Sequence, residues 1–336
     1  MKFKCCENLM HHLVFAQSDV MACCCAKDHD FIKFYKQENN EIFDIEQYKN
    51  TRNFYISQFK NNIIPNGCKN CPFIVEKEWD ENIKYNNIII ANRTKCSCNC
   101  IYCSLLEGDF SGKKKKELNE RNSYDIKPIL KALDESSYIE ENCNIQIVGG
   151  EPTEYPNKEF EWLLHFATNR NCKIEVLSSG INYSKELGKI LKTYSNNIKI
   201  LISPDSGTKE LYKKIKQINA FDKVWGNISK YIKDSKKNNN AQIYLKYIII
   251  PQINDSIEDV TNFIKKCEKV NCKNIVFSID FNWIEKNVQV SNELKDLVIY
   301  IFDNYIYSHT NIDFSFEPQT KNWFYKIRNA KEGKQQ

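Results

Sequence analysis

The chain has 336 residues, a formal net charge of +5 and 42% hydrophobic residues, enough to bury a full core and too little positive charge to indicate a nucleic-acid partner. No run of about 18 apolar residues occurs, and the stretch after Lys2 and Lys4 is broken by Glu7, His11, His12 and Asp19; this excludes a membrane-spanning helix and a signal peptide, and predicts a cytosolic protein. In a reducing cytosol the fifteen cysteines, several at C-x-x-C spacing, point to metal rather than to disulfides.

Residues 1–85 hold clustered cysteines, one helical stretch over Ile45–Lys60 and a turn at Pro65-Asn66-Gly67. From residue 86 onward β-rich runs alternate with amphipathic ones. Strands are predicted over Asn87–Ala91, Asn144–Val148, Lys173–Leu177, Ile198–Ile202, Gln242–Ile250 and Asn274–Ile279. Helices are predicted over Ile126–Leu133, Glu159–Thr168, Ser184–Tyr194, Lys209–Ile218, Ser256–Lys269 and Asn292–Asp303. Six strand–helix repeats mean an α/β fold with a parallel sheet and crossover helices. The runs Lys113–Lys116 and Asn238–Asn240 read as solvated loops, the first with an acidic partner as its alternative role.

The segment Cys96-Ser97-Cys98-Asn99-Cys100-Ile101-Tyr102-Cys103 contains C-x-x-x-C-x-x-C with an aromatic residue before the last thiol. Chance gives such a three-cysteine spacing about 0.03 times in this chain, against about 0.7 for any one C-x-x-C pair. Three thiolates leave one iron of a four-iron cluster open to chemistry. The triple follows the apolar run Ile88-Ile89-Ile90, so it lies at a strand's C-terminal end, where reactive groups gather in parallel α/β folds. The second strand runs into Gly149-Gly150-Glu151-Pro152-Thr153. Two glycines let the backbone approach a ligand closely, and a glutamate accepts hydrogen bonds from an ammonium group. Alone this is an ordinary turn; after the cysteine triple it gains meaning.

On these residues the chain resembles the radical S-adenosylmethionine superfamily over roughly residues 86–280. The resemblance implies a partial (β/α)6 TIM-like barrel over 86–290, preceded by a small cysteine-rich module (1–85) and followed by a short helical and strand cap (291–336). It implies a [4Fe-4S] cluster on Cys96, Cys100 and Cys103, whose open iron chelates the methionine moiety of S-adenosylmethionine. Gly149, Gly150 and Glu151 would contact its amino group, and Tyr102 would lie by the adenine. Ser179 and Ser203 stand at the third and fourth strand ends as cofactor-binding candidates, while Asn254 or Asp255 after the fifth strand reads equally as a helix cap. Cys98 falls outside the spacing and reads as a small loop filler.

The order of the N-terminal cysteines resembles a twitch or SPASM auxiliary-cluster module. That likeness implies a second [4Fe-4S] cluster fully ligated by Cys6, Cys23, Cys68 and Cys71, with Cys5 as the alternative to Cys6. The glycine usual before the second cysteine is absent, Asp19 standing near there. Zinc suits the same four thiolates, since tetrahedral sulfur ligation serves either metal. His11 and His12 read as partly buried residues, and Cys143, Cys172, Cys267 and Cys272 as packed core thiols.

The function implied is reductive cleavage of S-adenosylmethionine to a 5′-deoxyadenosyl radical, which abstracts a hydrogen atom from a peptide or from a sugar or other small metabolite. A second cluster favours an oxidation or a cross-link, with a flavodoxin or ferredoxin as electron donor. With residues 1–85 taken up by the cysteine-rich segment, no winged-helix leader-peptide domain is expected before the barrel, so a peptide would be recognised by the cap or by a partner. The alternative is a non-catalytic zinc or iron–sulfur module that engages a protein partner, which leaves Gly149-Gly150-Glu151 unexplained.

Overall fold

Ile88 and Ile90, Ile145 and Ile147, and Ile174 and Val176 are buried, whereas Ile89, Gln146 and Glu175 between them are only half-buried. That period of two is the strand signature. The computed structural model describes residues 3–23, 32–36, 42–69, 71, 73–78, 84–106, 113–120, 124–156, 158–194, 197–235, 242–285, 290–308 and 311–331. The chain divides into two compact units, Met1–Lys95 with Asn119–Val176, and Cys96–Leu118 with Leu177–Gln336.

The first unit begins with β1 (Phe3–Cys6), α1 (Glu7–His11), β2 (His12–Phe15), β3 (Asp19–Met21), β4 (Lys33–Lys36), α2 (Ile45–Lys60), β5 (Ile74–Lys77) and β6 (Tyr85–Ile90). After α3 (Lys113–Glu120) come α4 (Lys127–Glu135), β7 (Ile139–Ile147), α5 (Glu159–Asn169) and β8 (Lys173–Ser178). β6, β7 and β8 pair in parallel, with Asn87 opposite Asn144 and Asn144 opposite Lys173. β2 adds to the other edge of β6, also in parallel, with His12 opposite Asn87 and Phe15 opposite Ile90. β3 and β4 continue that edge antiparallel. The boundary expected at residue 85 therefore falls within one continuous sheet. A four-residue strand carries too short a pattern to announce its partner, which is why β2 escapes sequence reading. α2 packs over this edge, where the buried Arg52 donates to the Tyr85 hydroxyl at 2.9 Å and lies 5.5 Å from the Tyr85 and Tyr138 ring centroids.

The second unit contains α6 (Lys185–Thr193), β9 (Ile198–Ile202), α7 (Lys209–Lys216), α8 (Phe221–Ser235), β10 (Gln242–Ile249), α9 (Ile257–Lys269), β11 (Asn274–Ile279), α10 (Phe281–Glu285), α11 (Asn292–Ile301), β12 (Asp313–Phe316) and α12 (Pro318–Lys331). β9, β10, β11 and β12 are all parallel. The fold class read from the sequence, α/β with parallel strands and crossover helices, is what both units show. Helix starts follow the capping rule: Ser184, Thr208, Ser256 and Ser291 each accept the N–H three residues on.

Three features correct the sequence reading. The Lys113–Lys116 run is not a loop but the start of α3, as lysine's good helix propensity allows. α8 was not foreseen, although Phe221, Val224, Trp225, Ile228, Tyr231 and Ile232 bury one helical face; Gln217, at φ 57°, turns the chain between α7 and α8 without glycine or proline. The C-terminal segment is more than a cap, since β12 completes the sheet, with Phe277 opposite Phe316. Asn238–Asn240, Cys24 and Cys25 lie outside the described residues.

β12 is held by aromatic packing. The Phe277 ring lies 6.2 Å from Phe314, 6.3 Å from Tyr247 and Tyr305, and 6.4 Å from Phe316. Phe277 is fully buried; Phe277→Ala is expected to cost about 3–5 kcal/mol, measured as a fall in the urea midpoint with circular dichroism.

Candidate cluster and cofactor site

In the second unit, the cysteine loop is fixed by its backbone. The Asn99 and Ile101 N–H groups donate to the carbonyls of Lys216 and Ile215, each at 3.0 Å. The Cys103 N–H donates to the Cys100 carbonyl and the Leu106 N–H to the Cys103 carbonyl, also at 3.0 Å, and these bonds curl the loop back on itself. Cys96, Cys100 and Cys103 are half-buried and Cys98 is buried. The loop thiols lie within electrostatic reach of one another. Hydrogen bonds to Cys100 and Cys96 push the Cys98 thiol up. The bond from Cys98, helped by Lys216, pulls the Cys100 thiol down to about 6 against its burial. Burial raises Cys103, with the charges of Cys100 and Cys96 adding to it. Cys98 thus fills the loop as expected, and Lys115 from α3 donates to its carbonyl.

Beneath the loop sits a pair that sequence reasoning missed. Lys216 is 1% exposed and Asp205 0%, and the two form an ion pair. The Lys216 ammonium also donates to the Tyr102 hydroxyl at 2.6 Å, and that hydroxyl donates to Asp205 Oδ2 at 2.6 Å. Although burial opposes it, Asp205, with Cys100 and Tyr102, holds the Lys216 ammonium charged well above the usual lysine range. Burial pushes the Tyr102 phenol up, and Asp205 adds to it. Asp205 has φ 57° and is itself held from two sides: Oδ1 accepts from the Ile248 N–H, and its carbonyl accepts from Asn254 Nδ2, both at 2.9 Å. Asn254 is therefore a buried positioning side chain here, not the helix cap, which is Ser256. The signal available in the sequence was a lysine on α7 within an otherwise apolar helical stripe, Tyr212-Ile215-Lys216.

The other second-unit candidates have local duties. The Ser203 N–H donates to the Ser178 carbonyl at 3.3 Å. Ser179 Oγ accepts the Ile181 N–H at 3.4 Å.

In the first unit, Gly149 and Gly150 have φ +81° and +55°. A Cβ at Gly150 would stand 2.2 Å from the Lys95 carbonyl oxygen, and one at Gly149 2.8 Å from that of Arg93. The Glu151 N–H donates to the same Lys95 carbonyl at 2.7 Å. The glycines thus let the turn press onto the segment just before Cys96, whose Arg93 is ion-paired with the buried Glu159. Glu151 is 0% exposed, and its Oε1 accepts the Thr153 hydroxyl at 2.8 Å.

Also in the first unit, β1 and β5 pair with Cys6 opposite Ile74. Burial raises the Cys6 thiol to about 11, and the charges of Cys23 and Cys71 add to it. Cys68 lies one turn before, its carbonyl accepting the Cys71 N–H at 3.1 Å. The Cys5 thiol instead donates to the Val75 carbonyl at 3.5 Å. Among the described residues no three His, Cys, Asp or Glu side chains close around a single-ion position. A three-thiolate cluster fits the loop better: three thiols on one short pinned segment, with a buried cation to offset their negative charge.

The family model of the radical SAM superfamily matches residues 94–267, just over half of the chain. The chain belongs to that superfamily, and the family implies a [4Fe-4S] cluster with S-adenosylmethionine. Among curated proteins it is similar to the probable dual-specificity RNA methyltransferase RlmN of Streptococcus pneumoniae serotype 2, at 20% identity over 224 residues, covering 65% of this chain and 60% of that protein. It is 22% identical over 234 residues to the RlmN of Streptococcus pyogenes serotype M12, again covering 65% and 60%. The chain thus spans about three-fifths of the length of these relatives. Among solved structures, Streptococcus suis SuiB bound to its precursor peptide SuiA shares the fold with a TM-score of 0.52 at 16% identity, over 84% of this chain and 56% of that one. A further crystal structure of Streptococcus suis SuiB gives 0.51 at 15%, over 83% and 57%.

Gly150→Ala is expected to destabilise the first unit by about 2 kcal/mol or more, because a left-handed φ and a backbone collision act together. Thermal unfolding followed by circular dichroism checks this, with Gly226→Ala, where a Cβ meets nothing within 4 Å, as the tolerated control.

Proposed function

We propose that this is a peptide-modifying radical SAM enzyme whose cluster is held by Cys96, Cys100 and Cys103. The bound cluster and S-adenosylmethionine supply a 5′-deoxyadenosyl radical able to take a hydrogen atom from an unactivated carbon. The observation that carries the reading is the pinned loop itself, with three half-buried thiols whose backbone is tied to Ile215 and Lys216. The chain's own residues supply orientation. Asn99 and Ile101 set the loop's path, Tyr102 is locked by Asp205 and Lys216, and the Gly149–Gly150 turn fixes the residues leading into Cys96.

A peptide substrate is supported by the likeness to SuiB, whose structure holds a precursor peptide. The likeness to RlmN, named an RNA methyltransferase, supports RNA more weakly, at 20% identity over 65% of this chain. Cys6, Cys23, Cys68 and Cys71 are assigned to a second [4Fe-4S] cluster, with the electrostatic reach of Cys23 and of Cys71 to Cys6 in its favour. An electron acceptor there suits an oxidation or cross-link, with a flavodoxin or ferredoxin as the reductant.

After anaerobic reconstitution the chain is expected to carry about eight irons, falling to about four in a Cys96→Ala, Cys100→Ala, Cys103→Ala variant that no longer forms 5′-deoxyadenosine. Stoichiometric zinc without iron defeats the radical reading. A deuterated precursor-type peptide is expected to pass deuterium to 5′-deoxyadenosine; transfer from RNA or a sugar but from no peptide overturns the substrate class.

A further inference from the structure

The Asp205–Lys216 pair is more than a buried ion pair. Lys216 reaches the cysteine loop in three ways: its backbone carbonyl accepts the Asn99 N–H at 3.0 Å, its ammonium donates to Tyr102 at 2.6 Å, and that ammonium lies 5.0 Å from the Tyr102 ring centroid. Asp205 is the counter-charge, fixed by the Ile248 N–H and by Asn254. Both side chains are almost wholly removed from solvent, and a fixed charge in such a place is poorly screened.

We propose that Lys216 and Asp205 form a charge pair that sets the reduction potential of the cluster on the cysteine loop, Lys216 drawing it up and Asp205 drawing it down. This rests on the reading that Cys96, Cys100 and Cys103 hold a cluster. Reduction adds one electron to the cluster. A cation hydrogen-bonded to Tyr102 of the cysteine loop stabilises the added negative charge and favours the reduced state, while an anion paired with that cation offsets the effect. The electron comes from a donor of the flavodoxin or ferredoxin class. Lys216 and Asp205 are positioning residues in this scheme, acting through Tyr102 and the loop backbone at Asn99.

The test is a redox titration of the reconstituted full-length protein, followed by electron paramagnetic resonance of the reduced cluster. The first-unit thiols are removed by Cys68→Ser and Cys71→Ser so that one cluster is read. Lys216→Met is expected to move the midpoint to more negative potential and Asp205→Asn to more positive potential. Each should change the reduced-to-oxidised ratio at fixed potential about tenfold, which is 59 mV for a one-electron couple. The double variant Lys216→Met, Asp205→Asn should return close to the parent and recover any iron that a single variant loses.

Equal potentials in all variants, or shifts of the same sign in both single variants, overturn the proposal. So does loss of iron from all three, because the pair is then purely structural. Absence of any cluster in the parent protein instead defeats the functional reading above.

Discussion

A lysine ammonium removed from water has to be compensated, and the second unit arranges its loops around that requirement. Lys216 finds Asp205 and the Tyr102 hydroxyl. Asp205 in turn is held by the Ile248 N–H and Asn254, and Asn254 also donates to the Ile248 carbonyl at 2.9 Å and accepts the Ile250 N–H at 2.6 Å. A chain of polar contacts thus runs from the end of β10, through the left-handed residue after β9, to the last residue of α7 and the cysteine loop. Removing one member leaves another buried and unsatisfied, so these parts are ordered together. The cysteine loop inherits its rigidity from that network, because the Ile215 and Lys216 carbonyls that pin it belong to the same helix end.

In the first unit the corresponding constraint is steric rather than electrostatic. The Gly149–Gly150 turn sits so close to Arg93 and Lys95 that no side chain fits, and the Glu151 N–H closes the contact onto the Lys95 carbonyl. Glu151 then turns inward and caps Thr153. The motif therefore has a structural duty of its own: it presses a strand end onto the segment just ahead of the first cysteine. The reading of these glycines as making room for a ligand has a counterpart in which they make room for backbone.

The N-terminal cysteines show how strand geometry sorts adjacent residues. Cys5 and Cys6 are neighbours in β1, and successive strand residues point to opposite faces. Cys6 comes within reach of Cys23 and Cys71, while the Cys5 thiol turns to the Val75 carbonyl. Pairing of β1 with β5 carries Cys6 to the region of Cys71 and Cys68 across some 65 residues of chain.

The class of the fold and the three-cysteine spacing of the loop were legible in the amino-acid sequence. The apolar runs of β6–β11 are local signals, and the C-x-x-x-C-x-x-C spacing is a local fact that does not depend on what lies nearby. That β2 and β12 join the sheets emerges from the three-dimensional pairing alone, because strands of four residues select their partners by position and not by pattern. The same holds for Lys216 and Asp205. The stripe Tyr212-Ile215-Lys216 hints that Lys216 faces inward, but nothing local marks Asp205 as its partner, and their joint contact with Tyr102, over 100 positions away, exists only once burial has removed the water that would otherwise satisfy each of them.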